Sequence, residues 1–540
     1  MPAAPPQEPS IPTAVGAARV IGIVGAGTMG SAIAALACRS GARTMIHDPA
    51  GKALADGVRS AHEHLKRICA REGLSAEQSG AANALLEPAG QLSDLSDCEL
   101  IIEAAPERLE LKHELYAQLS EVVGPECVLA TNTSSLPVTA IAAGARHPGR
   151  VVGMHFFNPA SVMRLLEVVA GVQSCGRAVD VARATGEAMG KTVINAADGP
   201  GFLVNRCNRP FGLEALRLLA ERVARIEDID RICRLGGGFR MGPFELMDLV
   251  GVDVGLEVAR SFYDQSFGEP RWRPSPISSR YVAAGRLGRK VGRGYYEYGA
   301  GEHRPADPPP PPVGGGEGVI AVRGDGNLAA ELRDLAVVAG WEVASADADL
   351  DQPAELFIDC DAQLAGEPCQ REPRVILCDG GSLGNLDIYG GAAGFMALAP
   401  LGQSQLVELT RTAGTGAGSG ERAERFFSTL GKHVQWVRDA PGLVLGRLVA
   451  QVVNECAFAL GEGVGSAQDI DTGMKLGLNY PRGPLAWADA IGVGQINAIL
   501  RGLIVELEAD RYRVAPALQA LENLGRLGSK PRGGFFAQPG

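Results

Sequence analysis

Short, largely apolar runs alternate with segments of helical periodicity over the first two hundred residues. VIGIV (20–24), ELIIE (99–103), CVLAT (127–131) and RVVGMHFF (150–157) are typical of strands that are buried on both faces of a parallel sheet. Between such runs, segments such as SAIAALACRS (31–40) repeat apolar residues at helical spacing. The pattern predicts an α/β domain with a doubly wound sheet.

A glycine-rich segment, GAGTMG (25–30), joins the first predicted strand to the first predicted helix. The first glycine permits a tight turn, the second lets the backbone approach a pyrophosphate, and the third lets the helix pack closely on the strand. An acid at the end of the second strand, 23 residues after Gly25, is placed to bind the ribose hydroxyls and to repel the extra phosphate of NADP. The sequence therefore predicts a Rossmann-type domain that binds NAD through Gly25, Gly27, Thr28, Met29, Gly30 and Asp48.

Polar side chains near the ends of the later strands are the candidates for chemistry. His155 ends an apolar run, and Glu167 lies inside another, MRLLEVV, where an unpaired carboxylate is costly to bury. If Glu167 pairs with His155, it fixes the imidazole tautomer and stabilises the imidazolium. A structural role for the histidine, and a capping or solvent-exposed role for the glutamate, stay open as alternatives.

Composition and charge exclude several classes of protein. A chain of 540 residues, 46% hydrophobic and 21% charged, is long enough for three or four globular domains. A net charge of −11 argues against nucleic-acid binding. The eleven cysteines show no CxxC or metal-ligand spacing, so we expect reduced thiols, no metal and a cytoplasmic location. No apolar run approaches ~18 residues, so we expect no membrane span, and we expect residues 1–18 to form a flexible tail.

The sequence begins again after residue 318. A proline- and glycine-rich linker, 300–318, precedes a second strand-and-turn pattern with Gly324, Gly326 and Ala329 at the three glycine positions, and with Asp347 again 23 residues after the first of them. Residues 190–251 then align with 431–492 at a constant offset of 241, so that DGPGFLVNR is repeated as DAPGLVLGR. We therefore predict a reduced, degenerate Rossmann-like domain at 319–437 and a second helical domain at 438–540.

The second copy lacks most of the candidate chemistry. Gly381 stands opposite Ser134, Met396 opposite His155, and Gly446 opposite Asn205, and only Glu408 persists opposite Glu167. The interval from the acid after the second strand to the acid that ends the next strand is 55 residues in the first copy and 12 in the second. A helical pair is therefore missing there.

Seven motifs in order resemble the L-3-hydroxyacyl-CoA dehydrogenase family across residues 19–299: GAGTMG, IIEAAPERLELK, TNTSSL, HFFNP, DGPGFLVNR, MGPFELMDLVG and KVGRGYYEY. The resemblance implies a Rossmann domain at 19–198, an all-α domain at 199–299, and NAD-dependent, reversible oxidation of the 3-hydroxyl of an (S)-3-hydroxyacyl-CoA. The repeated second half is similar to long-form members, often labelled 3-hydroxybutyryl-CoA dehydrogenases.

The resemblance also implies roles for single residues. His155 is the general base and Glu167 its orienting partner, while Ser134 and Asn205 bind the substrate oxygen or help to position the histidine. Glu107, Lys112 and Lys290 match positions near the cofactor. Three basic residues at 62–73 are either contacts for the CoA phosphates or a solvated helix face: Lys66, Arg67 and Arg71.

The sequence leaves two other functions open. A dehydrogenase of a small 3-hydroxy acid, of the gulonate type, uses similar HFFNP and NTSS elements, and a non-catalytic NAD-binding regulator keeps only the cofactor site. We also expect the second helical domain to pair with the first within one chain, as two subunits of the single-unit members do, with a further homodimer possible. The acyl chain length is not readable from the sequence.

Overall fold

The apolar runs of the first two hundred residues form one eight-stranded sheet in the computed structural model, which describes residues 16–299, 301–346, 354–362, 373–528 and 533–536. Its strands lie in the order β3-β2-β1-β4-β5-β6-β7-β8, and the one antiparallel pair is β6 with β7. The strands are β1 (Val20–Val24), β2 (Arg43–His47), β3 (Leu86–Ala89), β4 (Leu100–Glu103), β5 (Val128–Thr131), β6 (Val151–Phe156), β7 (Leu165–Ala170) and β8 (Thr192–Ala197).

Six helices accompany this sheet in the first compact unit, Met1–Leu203. They are α1 (Thr28–Arg39), α2 (Gly51–Glu72), α3 (Ala76–Asn83), α4 (Leu109–Val122), α5 (Val138–Ala142) and α6 (Gly176–Ala188). Helix α1 is rich in alanine and almost wholly buried, which lets it lie close against the central strands. The strand order reverses between β1 and β4, and a ligand crevice forms at such a reversal. The predicted doubly wound fold is confirmed.

The second compact unit, Val204–Gly540, begins with five helices. They are α7 (Val204–Ala220), α8 (Ile226–Arg231), α9 (Pro243–Val250), α10 (Val252–Gln265) and α11 (Pro276–Ala283). No helix or strand occurs in the described part of 301–318, as proline-rich sequence predicts. This segment is nevertheless held in place, because Asp307 pairs with Arg234 and Arg304 pairs with Glu245. The two compact units therefore divide at residues 203 and 204 and not at the linker.

A second sheet of seven strands follows in the same unit, in the order β10-β9-β11-β12-β13-β14-β15. Its strands are β9 (Val319–Arg323), β10 (Glu342–Ser345), β11 (Leu356–Asp359), β12 (Arg374–Leu377), β13 (Ala393–Met396), β14 (Leu406–Thr410) and β15 (His433–Trp436), with α12 (Asn327–Ala339), α13 (Leu383–Leu386) and α14 (Ala417–Thr429). The order repeats that of the first sheet without β3, and the antiparallel pair recurs as β13 with β14. Only ten residues, 346–355, separate β10 from β11, where the first copy holds α2, α3 and β3. Asp347 and the first fifteen residues of the predicted tail lie outside the described residues.

The chain ends in a second set of five helices: α15 (Leu445–Gly461), α16 (Ala467–Leu478), α17 (Pro484–Ile491), α18 (Val493–Leu507) and α19 (Pro516–Asn523). Helices α7 and α15, which the offset of 241 aligns, pack against each other. Among the described helices none is by itself long and apolar enough to cross a membrane, although α17 and α18 pass that test as a pair across a bend of 96°.

The contacts between the two helical copies are reciprocal. Arg206 of α7 pairs with Glu455 and Glu462, and its counterpart Arg447 of α15 pairs with Glu214 and Glu221, which are the counterparts of those two glutamates. Phe239 and its counterpart Tyr480 meet each other edge to face, with ring centroids 5.1 Å apart. Such self-complementary contacts are those of a two-fold symmetric interface, here formed within one chain.

Candidate active site

The turn between β1 and α1 has the geometry that the glycine pattern predicts. Gly25 adopts a φ of +99°, in the left-handed region, and a Cβ on Gly30 would lie 1.8 Å from the Gly25 carbonyl oxygen. A Cβ on Gly27, which caps the N-terminus of α1, would meet nothing within 4 Å. The backbone at Gly27 is therefore open to a ligand, and the N–H groups at Thr28 and Met29 begin a helix end suited to a phosphate.

Asp48, directly after β2, is half-buried and fixes this turn. One carboxylate oxygen accepts a hydrogen bond from Ala26 N at 3.1 Å, and the other accepts one from Ala50 N at 3.0 Å. Each carboxylate oxygen has more than one lone pair, so these bonds leave acceptor capacity for ribose hydroxyls. The position fits the predicted contact.

Glu107 and Lys112 form a connected pair behind the loop that follows β5. The Lys112 side chain is 1% exposed, and its ammonium lies 2.6 Å from Glu103 and 3.1 Å from Glu107. Burial opposes ionisation of Glu107, but Lys112 and the donors around it outweigh burial and lower its pKa. Glu107 accepts hydrogen bonds from Thr133 Oγ1 at 2.6 Å and from Ser134 N at 2.9 Å. Lys112 thus holds Glu107, and Glu107 holds the loop that presents the exposed Ser134.

His155 and Glu167 face each other across the antiparallel strands β6 and β7. His155 Nδ1 lies 2.6 Å from Glu167 Oε2, and the two side chains are 8% and 0% exposed. A carboxylate only accepts, so Nδ1 carries a proton and donates it, which leaves Nε2 with the lone pair. Glu167 also accepts from Leu203 N at 3.2 Å. The pairing that the sequence left conditional is present.

Two aromatic rings and one amide hold the histidine in place. The imidazole packs against Phe157, with centroids 4.6 Å apart, and against Phe202 at 5.8 Å. The Asn132 side chain accepts from Phe156 N at 2.9 Å and so ties the end of β6 to the loop after β5. The sequence reasoning did not select Asn132, although its place at the end of a strand, two residues before Ser134, was the available signal.

Two predicted site residues belong to the second compact unit. Asn205 is the second residue of α7 and lines a cavity within that unit. Lys290 forms an ion pair with Asp253 at 2.6 Å. Their proposed roles at the cofactor and substrate stay predictions.

The three basic residues of α2 have different environments. Lys66 lines a groove between α2 and α3 together with His62. Arg67 is paired with Glu63 at 3.4 Å, and Arg71 donates to the Ser161 carbonyl oxygen at 2.9 Å. In the described part of the chain no three His, Cys, Asp or Glu side chains are grouped as metal ligands.

The second sheet repeats the strand pair without the histidine. Met396 faces Glu408 in the same register in which His155 faces Glu167. Glu408 is buried and accepts from Val444 N at 2.8 Å and from Leu445 N at 2.9 Å, at the start of α15. A Cβ on Gly446 would lie 2.8 Å from Met396 Sδ, so the methionine occupies the space beside that glycine. Glu408 therefore has a structural task that the sequence did not reveal.

The turn of the second copy also departs from the first. Gly324 keeps a positive φ of +112°, but Ala329, fully buried, replaces Gly30. The strand ends border a cavity of about 1000 Å³ whose lining includes Asp325, Asp361 and Asp379. Arg501 also lines the cavity but is paired with Glu522, and burial raises the pKa of Asp379 to about 7. The charges of Asp325 and Asp361 therefore make this cleft unfavourable for a pyrophosphate.

Comparison with known proteins identifies relatives for both halves. The chain matches the family model "3-hydroxyacyl-CoA dehydrogenase, NAD binding domain" over residues 20–199 and the model "3-hydroxyacyl-CoA dehydrogenase, C-terminal domain" over 201–298 and again over 442–538. It is 34% identical over 501 residues to the 3-hydroxyadipyl-CoA dehydrogenase of Escherichia coli (strain K12), covering 93% of this chain and 97% of that protein.

Two further relatives differ in how much of the chain they match. The crystal structure of a 3-hydroxybutyryl-CoA dehydrogenase from Escherichia coli K12 superposes with a TM-score of 0.78 at 34% identity and covers 94% of this chain and 98% of that one. The human mitochondrial hydroxyacyl-coenzyme A dehydrogenase is 32% identical over 282 residues, which are 51% of this chain and 90% of that protein.

Proposed function

Because this chain belongs to the 3-hydroxyacyl-CoA dehydrogenase family and is an NAD-dependent enzyme of that family, we propose that His155 is its general base. The reaction is the reversible oxidation of the 3-hydroxyl of an (S)-3-hydroxyacyl-CoA to the ketone. The observation that carries this proposal is the hydrogen bond of His155 to the buried Glu167, which directs a proton-accepting Nε2 away from the carboxylate.

The residues of the first unit fit NAD and divide its binding among them. The open backbone at Gly27 and the turn fixed by Gly25 and Gly30 would receive the pyrophosphate, and Asp48 would bind the ribose. Glu107 would act near the nicotinamide end, with Lys112 acting through it. When bound, NAD supplies the acceptor for the electrons that leave the substrate carbon.

The proton of the substrate hydroxyl is transferred by a side chain of the protein. His155 Nε2 takes the proton of the substrate hydroxyl as the carbon is oxidised, and Glu167 stabilises the resulting imidazolium. Ser134 and Asn205 would donate hydrogen bonds to the substrate oxygen. In the reverse direction the imidazolium returns the proton. Positioned acid–base catalysis of this kind contributes about 10²–10⁴-fold to the rate.

The substrate class is an acyl-CoA, and the names of two relatives suggest different acyl groups. One is named for 3-hydroxyadipyl-CoA and the other for 3-hydroxybutyryl-CoA. The CoA phosphates would meet Lys66, Arg67 or Arg71 on α2, and Lys290 would lie near the cofactor.

The second half has a structural task in this proposal. Its helices supply, within one chain, the surface that a second subunit would otherwise provide, and the reciprocal Arg206 and Arg447 ion pairs support this role. A cytoplasmic location is part of the proposal, because the ten cysteines in the described residues are all free. A further homodimer is compatible with it.

An assay of turnover tests the function. We expect NAD reduction with (S)-3-hydroxybutyryl-CoA or (S)-3-hydroxyadipyl-CoA, NADH oxidation with acetoacetyl-CoA, and at least tenfold lower activity with NADP. Preferential turnover of free L-gulonate would instead identify a small-acid dehydrogenase. Binding of NAD without turnover of any of these substrates would contradict the enzymatic assignment.

A further inference from the structure

The helices of the second unit enclose a cavity of about 270 Å³. Most of its wall is apolar and comes from α7, α9 and α10, and Leu478 of α16 adds a contact from the second copy. The polar groups in its wall include Asn205, Asn208, Arg209, Ser275 and Ser278. A mostly apolar pocket with a few polar groups is the usual form of a small-molecule site.

One of these polar groups, Arg209, has no hydrogen-bond or ion-pair partner among the described residues. Asn208 accepts from Tyr480 Oη at 2.9 Å, Ser275 accepts from Ile277 N, and Ser278 contacts Tyr295 Oη. In the part of the chain that the structure describes, Arg209 makes no hydrogen bond and no ion pair, and its Nε is buried without a partner.

The environment of Arg209 is apolar. Its guanidinium lies over the ring of Phe262, 4.8 Å from the centroid. Burial alone lowers its pKa to about 10, and no carboxylate offsets that effect, so the group is still charged at neutral pH. The side chain is half-buried: Nε is buried, while the two terminal nitrogens keep some contact with solvent and can donate to an anionic ligand in the cavity.

Two buried arginines of these helices show the contrast. Arg206, one turn earlier in α7, pairs with Glu455 and Glu462, and its counterpart Arg447 in the second copy is likewise paired. The counterpart of Arg209 at the offset of 241 is Ala450, which is buried. The paired, structural arginine is therefore repeated, and the unpaired one stands only in the copy that also has Asn205.

We infer that Arg209 binds a carboxylate at the far end of the acyl chain, so that the preferred substrate is a short 3-hydroxyacyl-CoA with a terminal carboxylate. The inference rests on the proposed function, in which Asn205 contacts the reacting oxygen. Asn205 and Arg209 are four residues apart in α7, which puts them on one face of the helix about 6 Å apart along its axis. Stacking on Phe262 leaves the planar N–H groups of the guanidinium free to form a two-pronged contact with a carboxylate.

Binding of two matched acyl-CoA probes tests the inference without turnover. Adipyl-CoA and hexanoyl-CoA have the same number of carbons, lack the 3-hydroxyl and differ only in the terminal carboxylate. Calorimetric titration of the full chain with NADH present should show adipyl-CoA binding about 10- to 100-fold more tightly, the range expected of a charge-assisted hydrogen bond. Arg209→Met should abolish that preference, and Arg209→Lys should keep part of it.

Controls separate binding from folding. Arg209→Met removes an unpaired charge, so its melting temperature should equal or exceed that of the wild type, and Arg260→Met, which removes an exposed arginine of α10, should keep the preference. Equal affinity of the wild type for both probes, or a preference that survives Arg209→Met, would overturn the inference. A preference that Arg209→Met removes, in an enzyme that oxidises no 3-hydroxyacyl-CoA, would instead refute the proposed function alone.

Discussion

The strand pair β6 and β7 and its copy β13 and β14 have one backbone arrangement and different chemistry. In the first, Glu167 accepts from the imidazole of His155 and from the backbone at Leu203. In the second, Glu408 keeps the equivalent backbone contact, at Val444, and faces a methionine. The buried glutamate therefore belongs to the scaffold, because it satisfies the N–H groups that precede a helix. In the proposed function, His155 makes that scaffold residue part of an acid–base pair.

Replacement of His155 and of its counterpart Met396 should reveal the largest difference between the two copies, in kcat. His155→Gln should lower kcat by about 10²–10⁴-fold, because no other group takes the substrate proton. Met396→Leu, at the same position of the second copy, should leave kcat unchanged, since it exchanges apolar groups of similar volume.

Steady-state kinetics measure both effects, and NADH fluorescence should report the same cofactor affinity for both variants as for the wild type. A drop in kcat for Met396→Leu as large as that for His155→Gln would refute the division of labour between the two copies.

Replacement of Arg447 tests whether contacts between the two helical copies stabilise the protein. Arg447 is fully buried and bonds to Glu214, Glu221 and Tyr512. Arg447→Met should reduce the free energy of unfolding by about 3–5 kcal/mol, as the breaking of a buried ion pair does. Arg501→Met, which removes a partly exposed pair with Glu522, should cost less than about 1 kcal/mol. Urea titration compares the two, and equal losses would argue against a stabilising interface.

Glu408, the glutamate retained in the second copy, should make a smaller, pH-dependent contribution to the free energy of unfolding. Burial raises the pKa of Glu408 to about 8 despite its backbone donors. The pKa of Glu408 in the folded state lies above its value in the unfolded state. The contribution of Glu408 to stability is therefore complete below about pH 4.5 and is lost as the pH rises toward 8.

Glu408→Gln removes this ionisation. Its stability relative to the wild type should therefore rise between pH 5 and 8, with a slope of at most about 1.4 kcal/mol per pH unit. Urea titrations across that range measure the difference, with the exposed Glu421→Gln of α14 as the control. A difference that does not change with pH would show that Glu408 is already ionised in the folded protein.

The fold of both halves could be predicted because each depends on local patterns. The glycines at 25, 27 and 30, the apolar strands and the constant offset of 241 fix the turn, the sheet and the repeat. His155 and Glu167 could be proposed as a pair because an isolated carboxylate in an apolar run needs a partner.

Other features depend on contacts between distant residues and could not be predicted in the same way. The capping role of Glu408, the position of Lys112 behind Glu107 and the ion pairs that hold residues 301–318 are examples. That Arg209 has no hydrogen-bond or ion-pair partner among the described residues is also a tertiary property, because the sequence alone does not show which arginines are paired.

The central claim, that only the first copy holds the cofactor while the second supports the structure, is tested most directly by the stoichiometry of NADH binding. At the second turn Ala329 replaces Gly30, the glycine that lets the helix pack closely on the strand. Asp325 replaces Ala26 there and adds a negative charge to a cleft that also holds Asp361, which disfavours a pyrophosphate. Fluorescence titration of the full chain should therefore give one NADH per chain. Two equivalents bound per chain would contradict the claim.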